Sequence, residues 1–193
     1  PVVGPAAMKS KLLSVTDQKR HLHSFFEQNV PVLVGIGSLT EQKNFELLIE
    51  SIPHLIKTRD CRVLILGEGP RRNQLQKRID SLGLSSCVDL VGFVDDPAEY
   101  LISSSLFVLS SKWEGLPTVV IEALATGTKI LSTDCPSGPD EILVNGKYGE
   151  LVALDASPKH FADKIQLALD TKVQKELLFE RAEDFSIATS TQK

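Results

Sequence analysis

From Val30 onward, short aliphatic and β-branched runs alternate with longer stretches whose apolar residues recur at helical spacing. Runs that are apolar on both sides suit strands covered on two faces, and the stretches between them suit the helices that cover them. The pattern therefore predicts an α/β fold, a parallel sheet with helices on both faces. Strands are predicted at Val30 to Ile36, Cys61 to Leu66, Val88 to Val91, Leu106 to Leu109, Lys129 to Ser132 and Gly149 to Val152. The first helix follows from Phe45, Leu48, Ile49, Ile52 and Ile56 on one face, with Pro53 expected to kink or shorten its last turn because proline removes a backbone donor. Further helices are predicted over Arg71 to Leu82 with Leu75 and Ile79 inward, Pro97 to Ser103, Pro117 to Ala125 with Gly127 just past its end, and Gly138 to Leu143. A last one runs from Pro158 to Leu169 with Phe161, Ile165 and Ala168 inward, and the core is expected to end near there.

Residues 1 to 29 read as a linker and leading helix carrying Leu22, Phe25 and Phe26, residues 30 to 184 as the domain, and residues 185 to 193 as a cut tail. A length of 193 residues with 42% hydrophobic and 24% charged content fits one folded domain. The net charge of -4, with both signs interspersed, argues against a nucleic-acid partner. No apolar run approaches the roughly 20 residues of a membrane span, and the start lacks a signal-peptide pattern, so the chain reads as cytoplasmic. Cys61, Cys87 and Cys135 lack zinc-ligand spacing and read as buried thiols in a reducing compartment.

In an open parallel sheet, ligands bind beyond the carboxyl ends of the strands, so the turns after each strand are where chemistry is expected. The segment Glu114-Gly115-Leu116-Pro117-Thr118-Val119-Val120-Ile121-Glu122 carries the strongest signal. Glu122 sits inside an otherwise apolar helix, where a carboxylate is costly unless it meets a polar cavity, and sugar hydroxyls would fit such a cavity. The free N–H groups of Thr118 and Val119 at the helix start can hold a phosphate. The plain alternative is that Glu114 is solvated and Glu122 pairs with a lysine or arginine. A second turn, Gly35 to Asn44, places Lys43 at a helix entrance, either to neutralise a diphosphate or as an ordinary surface lysine. Gly67-Glu68-Gly69-Pro70 reads as a structural turn. Gly92-Phe93-Val94 would present backbone to a nucleobase edge, with Phe93 alternatively a core residue, and Trp113 is a ring-stacking or anchoring residue. No serine or cysteine has a recognisable base partner for hydrolytic chemistry.

In this order, GSLTEQKN, LGEGP, LVGFVDDP, SSKWEGLPTVVIEALATG and DCPSGPDEIL resemble the C-terminal domain of glycosyltransferase family 4 (group 1), retaining enzymes of the two-domain GT-B type, over roughly Pro31 to Leu169. The resemblance implies a Rossmann-like, nucleotide-sugar-binding half. It implies that Glu114 is the catalytic candidate and contacts the donor sugar, that Glu122 contacts the ribose, and that Lys43 contacts the diphosphate. Gly37 belongs to the first turn, the backbone of Gly115, Leu116, Pro117, Thr118 and Val119 meets the phosphates, and Gly92, Phe93 and Val94 meet the base. No cofactor or metal is implied, because cations and helix dipole meet the phosphate charge.

The implied reaction is retaining transfer of a hexose or N-acetylhexosamine from a nucleoside diphosphate sugar, a UDP-sugar first, to a glycan or lipid-linked acceptor in surface polysaccharide or glycoconjugate assembly. Ser38 stands where the family has arginine, and Asp140 where it often has a basic residue, which puts donor affinity in question. The partner expected for this half is an N-terminal acceptor domain, with the full-length enzyme peripheral at the membrane. Without that domain the chain is expected to bind donor weakly and transfer little. Two other readings compete: a non-catalytic nucleotide-binding scaffold and a GT-B epimerase acting on the donor itself.

Overall fold

The computed structural model describes residues 22–185. Six strands form one sheet: β1 (Val32–Ile36), β2 (Arg62–Leu66), β3 (Val88–Gly92), β4 (Leu106–Leu109), β5 (Ile130–Thr133) and β6 (Glu150–Val152). All neighbouring pairs are parallel, in the order β3-β2-β1-β4-β5-β6. Among the described residues seven α-helices connect and extend them: α1 (Phe45–Leu55), α2 (Arg72–Ser81), α3 (Ala98–Ser103), α4 (Thr118–Ala125), α5 (Pro139–Leu143), α6 (Pro158–Asp170) and α7 (Lys175–Glu183). Among the described residues no helix is long and apolar enough to cross a membrane.

Strand side chains alternate between two faces with period two, and each face has its own core. Leu33, Val63, Ile65, Val108 and Leu131 pack with Leu48 and Ile52 of α1, Leu75 and Ile79 of α2, and Phe161 and Ile165 of α6. The other side of the same strands gives two clusters. Phe107, Leu109 and Ile130 pack with Leu101 of α3, Val120 and Leu124 of α4 and Leu178 of α7. Val32, Val34, Leu64 and Leu66 pack with Phe25 and Tyr100. Helices therefore cover both faces, as the uninterrupted apolar strands required.

The structure departs from the sequence pattern at a few elements. Helix α1 contains Pro53 and ends at Leu55, two residues beyond it. Ile56, expected inward, is instead the residue after the helix and is 41% exposed. The described part of the expected leading helix is a 3-10 turn, Ser24–Glu27, started by the His23 ring accepting the Phe25 N–H. Helix α7 lies beyond the expected end of the core. It packs on α4 through Leu178 and Ala182, two residues at i, i+4 beside an exposed Leu177, too thin a stripe to read in advance. Residues 1 to 21 of the expected linker, and the expected tail beyond Phe185, lie outside the described residues.

All three cysteines are buried and free. Burial pushes the Cys61 thiol up to about 12, so it is an inert core group rather than a nucleophile.

Candidate functional site

The sheet order reverses direction between β1 and β4, and the loops leaving those two strands at their carboxyl ends diverge to opposite faces, opening a crevice. One wall is the loop from β1 to α1, and the other is the loop from β4 to α4. A set of cross-loop bonds fixes their separation. Lys112 N–H donates to the Gln42 carbonyl at 2.8 Å, Gln42 Nε2 donates to the Trp113 carbonyl at 3.0 Å, and Lys112 Nζ donates to Glu41 Oε1 at 2.8 Å.

Lys43 and Glu114 meet across this crevice. Lys43 Nζ lies 2.6 Å from Glu114 Oε1, with side chains 17% and 6% exposed, and Ser111 Oγ donates to the same oxygen at 2.6 Å. Gly37 explains how the lysine gets there. A Cβ on Gly37 would stand 3.0 Å from Lys43 Cε, so the bare glycine lets the lysine stem cross the end of β1. Glu114 is thus a buried, paired carboxylate, which overturns the alternative of a solvated one.

Helix α4 carries the second carboxylate in a different setting. Of its eight residues, Val120, Ile121, Ala123, Leu124 and Ala125 are buried, and the remaining three, Thr118, Val119 and Glu122, are not. Spaced by three and four, these form one stripe down the helix from its open end. Pro117 stands one place earlier than expected, as the N-cap, and its carbonyl accepts Val120 N–H at 2.9 Å. The N–H groups of Thr118 and Val119 precede that first helical bond and point out of the helix start. Burial first, and then the nearby negative charge of Asp96, push the Glu122 carboxyl above its ordinary value of 4.5. The described residues hold no ion pair on Glu122, in contrast to Glu114, so the alternative of a structural pair with lysine or arginine is not realised among them.

A third loop closes the far side. Gly138 has φ of +110°, and a Cβ there would fall 2.5 Å from Pro117 Cδ and 2.6 Å from the Gly115 carbonyl oxygen, so only glycine lets the β5 to α5 loop lie against the β4 to α4 loop. Gly115, Leu116 and Thr118 remain exposed at the rim, as do Ser38 and Asp140.

Beyond the ends of β1, β2 and β3 lies a cleft of about 270 Å³ lined by residues including Gly37, Ser38, Glu68, Phe93, Val94 and Pro97. Phe93 is 75% exposed, so it is a surface ring over a cleft and not a core residue. Gly92 sits behind it, and its carbonyl is taken by Gly67 N–H at 2.7 Å. Gly67 itself must be glycine, since a Cβ would stand 2.0 Å from the Gly37 carbonyl oxygen. The GEGP turn thus has a structural role in packing against the first loop, while its Gly67 and Glu68 also border the cleft.

Of the residues singled out in the sequence, Lys43, Gly37 and Glu114 come together at one point. Gly115 to Val119 and Glu122 lead away from that point along α4, and Phe93 and Val94 line the cleft. The reading missed Ser110, Ser111, Gln42 and Thr133, which set the loop geometry. A pair of serines directly after a fully apolar strand was the available signal. Among the described residues, no group of three or more His, Cys, Asp or Glu side chains is placed to hold a metal ion.

Comparison with known proteins points the same way. The model of the family described as glycosyl transferases group 1 matches residues 17–189. An uncharacterized glycosyltransferase of Methanocaldococcus jannaschii is 40% identical over 136 residues, covering 70% of this chain and 33% of the relative. The Campylobacter jejuni N-acetylgalactosamine-N,N'-diacetylbacillosaminyl-diphospho-undecaprenol 4-alpha-N-acetylgalactosaminyltransferase is 34% identical over 143 residues, covering 74% of this chain and 39% of that protein. The chain thus spans well under half the length of these relatives. A mutant of S. aureus TarM, solved in complex with fondaparinux, alpha-GlcNAc-glycerol and UDP, superposes with a TM-score of 0.72 at 25% identity, over 81% of this chain and 32% of that one.

Proposed function

Because the chain belongs to the glycosyl transferases group 1 family, we propose that it is the donor-binding half of a retaining glycosyltransferase. The donor is a nucleoside diphosphate sugar, a UDP-sugar first, carrying a hexose or N-acetylhexosamine. The acceptor is a glycan or lipid-linked sugar of a surface polysaccharide or glycoconjugate. The observation that carries this reading is the one stripe of α4 left unburied, in which two outward N–H groups lead to a carboxylate with no ion pair among the described residues, beside the Lys43–Glu114 pair at the switch point of the sheet.

Each part of such a donor has a matching surface. The diphosphate lies against the N–H groups of Thr118 and Val119, where the helix dipole favours negative charge, with Lys43 beside it. As the bond from the sugar to the diphosphate breaks, negative charge grows on the leaving phosphate, and these donors are already in place to meet it. Glu122 accepts the ribose hydroxyls, and the base enters the cleft against Phe93, where an exposed ring offers a stacking surface. Glu114 accepts hydroxyls of the transferred sugar. Uridine is favoured because TarM, with a related fold at 25% identity, was solved with UDP. A lipid-linked acceptor is favoured by the Campylobacter relative, named for a diphospho-undecaprenol substrate.

A nuclear magnetic resonance titration of the 193-residue chain with UDP, GDP, ADP and a panel of UDP-sugars tests the proposal. The expected result is UDP binding, with shifts at Gly37, Phe93, Val94, Thr118 and Val119. A chain that binds none of these nucleotides at millimolar concentration sinks the reading and leaves a scaffold role.

A further inference from the structure

Ser110 and Ser111 follow β4 directly and are 1% and 0% exposed. Buried hydroxyls need partners, and these two find theirs on the two residues that form the ion pair, one on main chain and one on side chain. Ser110 Oγ donates to the Lys43 carbonyl at 2.9 Å, and Ser111 Oγ donates to Glu114 Oε1 at 2.6 Å. The Ser111 carbonyl in turn accepts Thr133 Oγ1 at 2.6 Å, which ties the serine to the end of β5. Two adjacent serines thus fix the backbone of the cation and the carboxylate of the anion.

We infer that Ser111 is a positioning residue: it turns the Glu114 carboxylate so that Oε2 faces the transferred sugar, and thereby makes the site read sugar and diphosphate as one unit. This rests on the nucleotide-sugar reading above. Lys43 Nζ and Ser111 Oγ approach the same oxygen of Glu114, so Oε2 is the acceptor left for a ligand. An ammonium has three protons, and one spent on Glu114 leaves two for phosphate. A carboxylate gripped on one oxygen by two donors from different elements is held in one orientation before the donor arrives. Without the Ser111 hydroxyl, Lys43 alone holds Glu114. The carboxylate is then free to turn both oxygens toward the ammonium, which withdraws Oε2 from the sugar.

The test compares UDP with the tightest-binding UDP-sugar of a panel containing UDP-glucose, UDP-galactose and the two UDP-N-acetylhexosamines. Each is titrated into wild type, Ser111→Ala and Ser111→Cys, with thermal melts to establish folding. UDP has no transferred sugar, so its affinity is expected to hold within about twofold in both variants. The UDP-sugar is expected to bind about tenfold more weakly to Ser111→Ala, the scale of one hydrogen bond to a charged group. Ser111→Cys, with a weak donor of similar size, is expected to fall between, and it carries the comparison alone if the alanine variant does not fold. Equal losses for UDP and the UDP-sugar, or no loss for either, overturn the inference while leaving nucleotide binding intact. Failure of the wild type to bind UDP overturns the parent reading instead, and this one with it.

Discussion

Glu114 and Glu122 lie on consecutive elements and border the same crevice, yet the fold treats them in opposite ways. Glu114 is buried against a lysine and a serine from separate strand ends. Glu122 is half-buried on α4, near Asp96, with its carboxyl pushed up by burial and by that neighbour. The first carboxylate has one oxygen gripped by two donors and helps hold two loops together while its other oxygen stays free for the sugar, whereas burial disfavours the charge of the second. A half-buried acid with no lysine or arginine paired to it among the described residues marks where a ligand is expected to contribute the missing partners, whereas Glu114 combines a loop-holding contact with an oxygen left for recognition.

The largest expected effect comes from breaking the satisfied pair. Lys43→Met leaves Glu114 buried without its cation, a change that costs about 3 kcal/mol. Differential scanning calorimetry should show the melting temperature falling by roughly 6 to 12 °C, and UDP affinity should fall with it. A melt within a degree of wild type would mean the pair is incidental. The opposite sign is expected at the other carboxylate. Glu122→Gln removes a charge that burial disfavours, so the empty protein should melt about 2 °C higher while binding UDP about tenfold more weakly. A lower melting temperature together with unchanged UDP affinity would make Glu122 a structural residue.

The smallest effect is the pH dependence of that difference. A carboxyl whose folded value lies above its ordinary 4.5 contributes stability that is fully present below the ordinary value and is lost as pH climbs through the raised one. The gap in melting temperature between Glu122→Gln and wild type should therefore vanish near about pH 4 and open to its full size toward neutrality. A gap that is constant across that range would remove titration of Glu122 from the account.

How much of this could be read in advance follows the same division. The strands and all but the last of the helices follow from the alternation of apolar runs with helical spacing, whereas the stripe of α4 emerges only from the structure. Lys43 and Glu122 were visible as charges out of place. The pairing of Lys43 with Glu114 was not, since it depends on two loops 71 positions apart in sequence meeting at the reversal of strand order. Nor were the serines, whose hydroxyls gain meaning only when that meeting point is known. Phe93 was ambiguous because a phenylalanine after a strand is as often a core residue, and its exposure comes from the backbone turning at Gly92, where φ is +95°. Helix α7 escaped because two inward residues do not make a period.

The account turns on Glu122 holding the ribose, and a double-mutant cycle on protein and ligand tests that most directly. Affinities of UDP and 2′,3′-dideoxy-UDP are measured for wild type and for Glu122→Ala. The account predicts that deleting the hydroxyls weakens binding to wild type by about tenfold or more and makes no further difference once the carboxylate is gone. The same loss in both proteins would show that the ribose hydroxyls and Glu122 never meet.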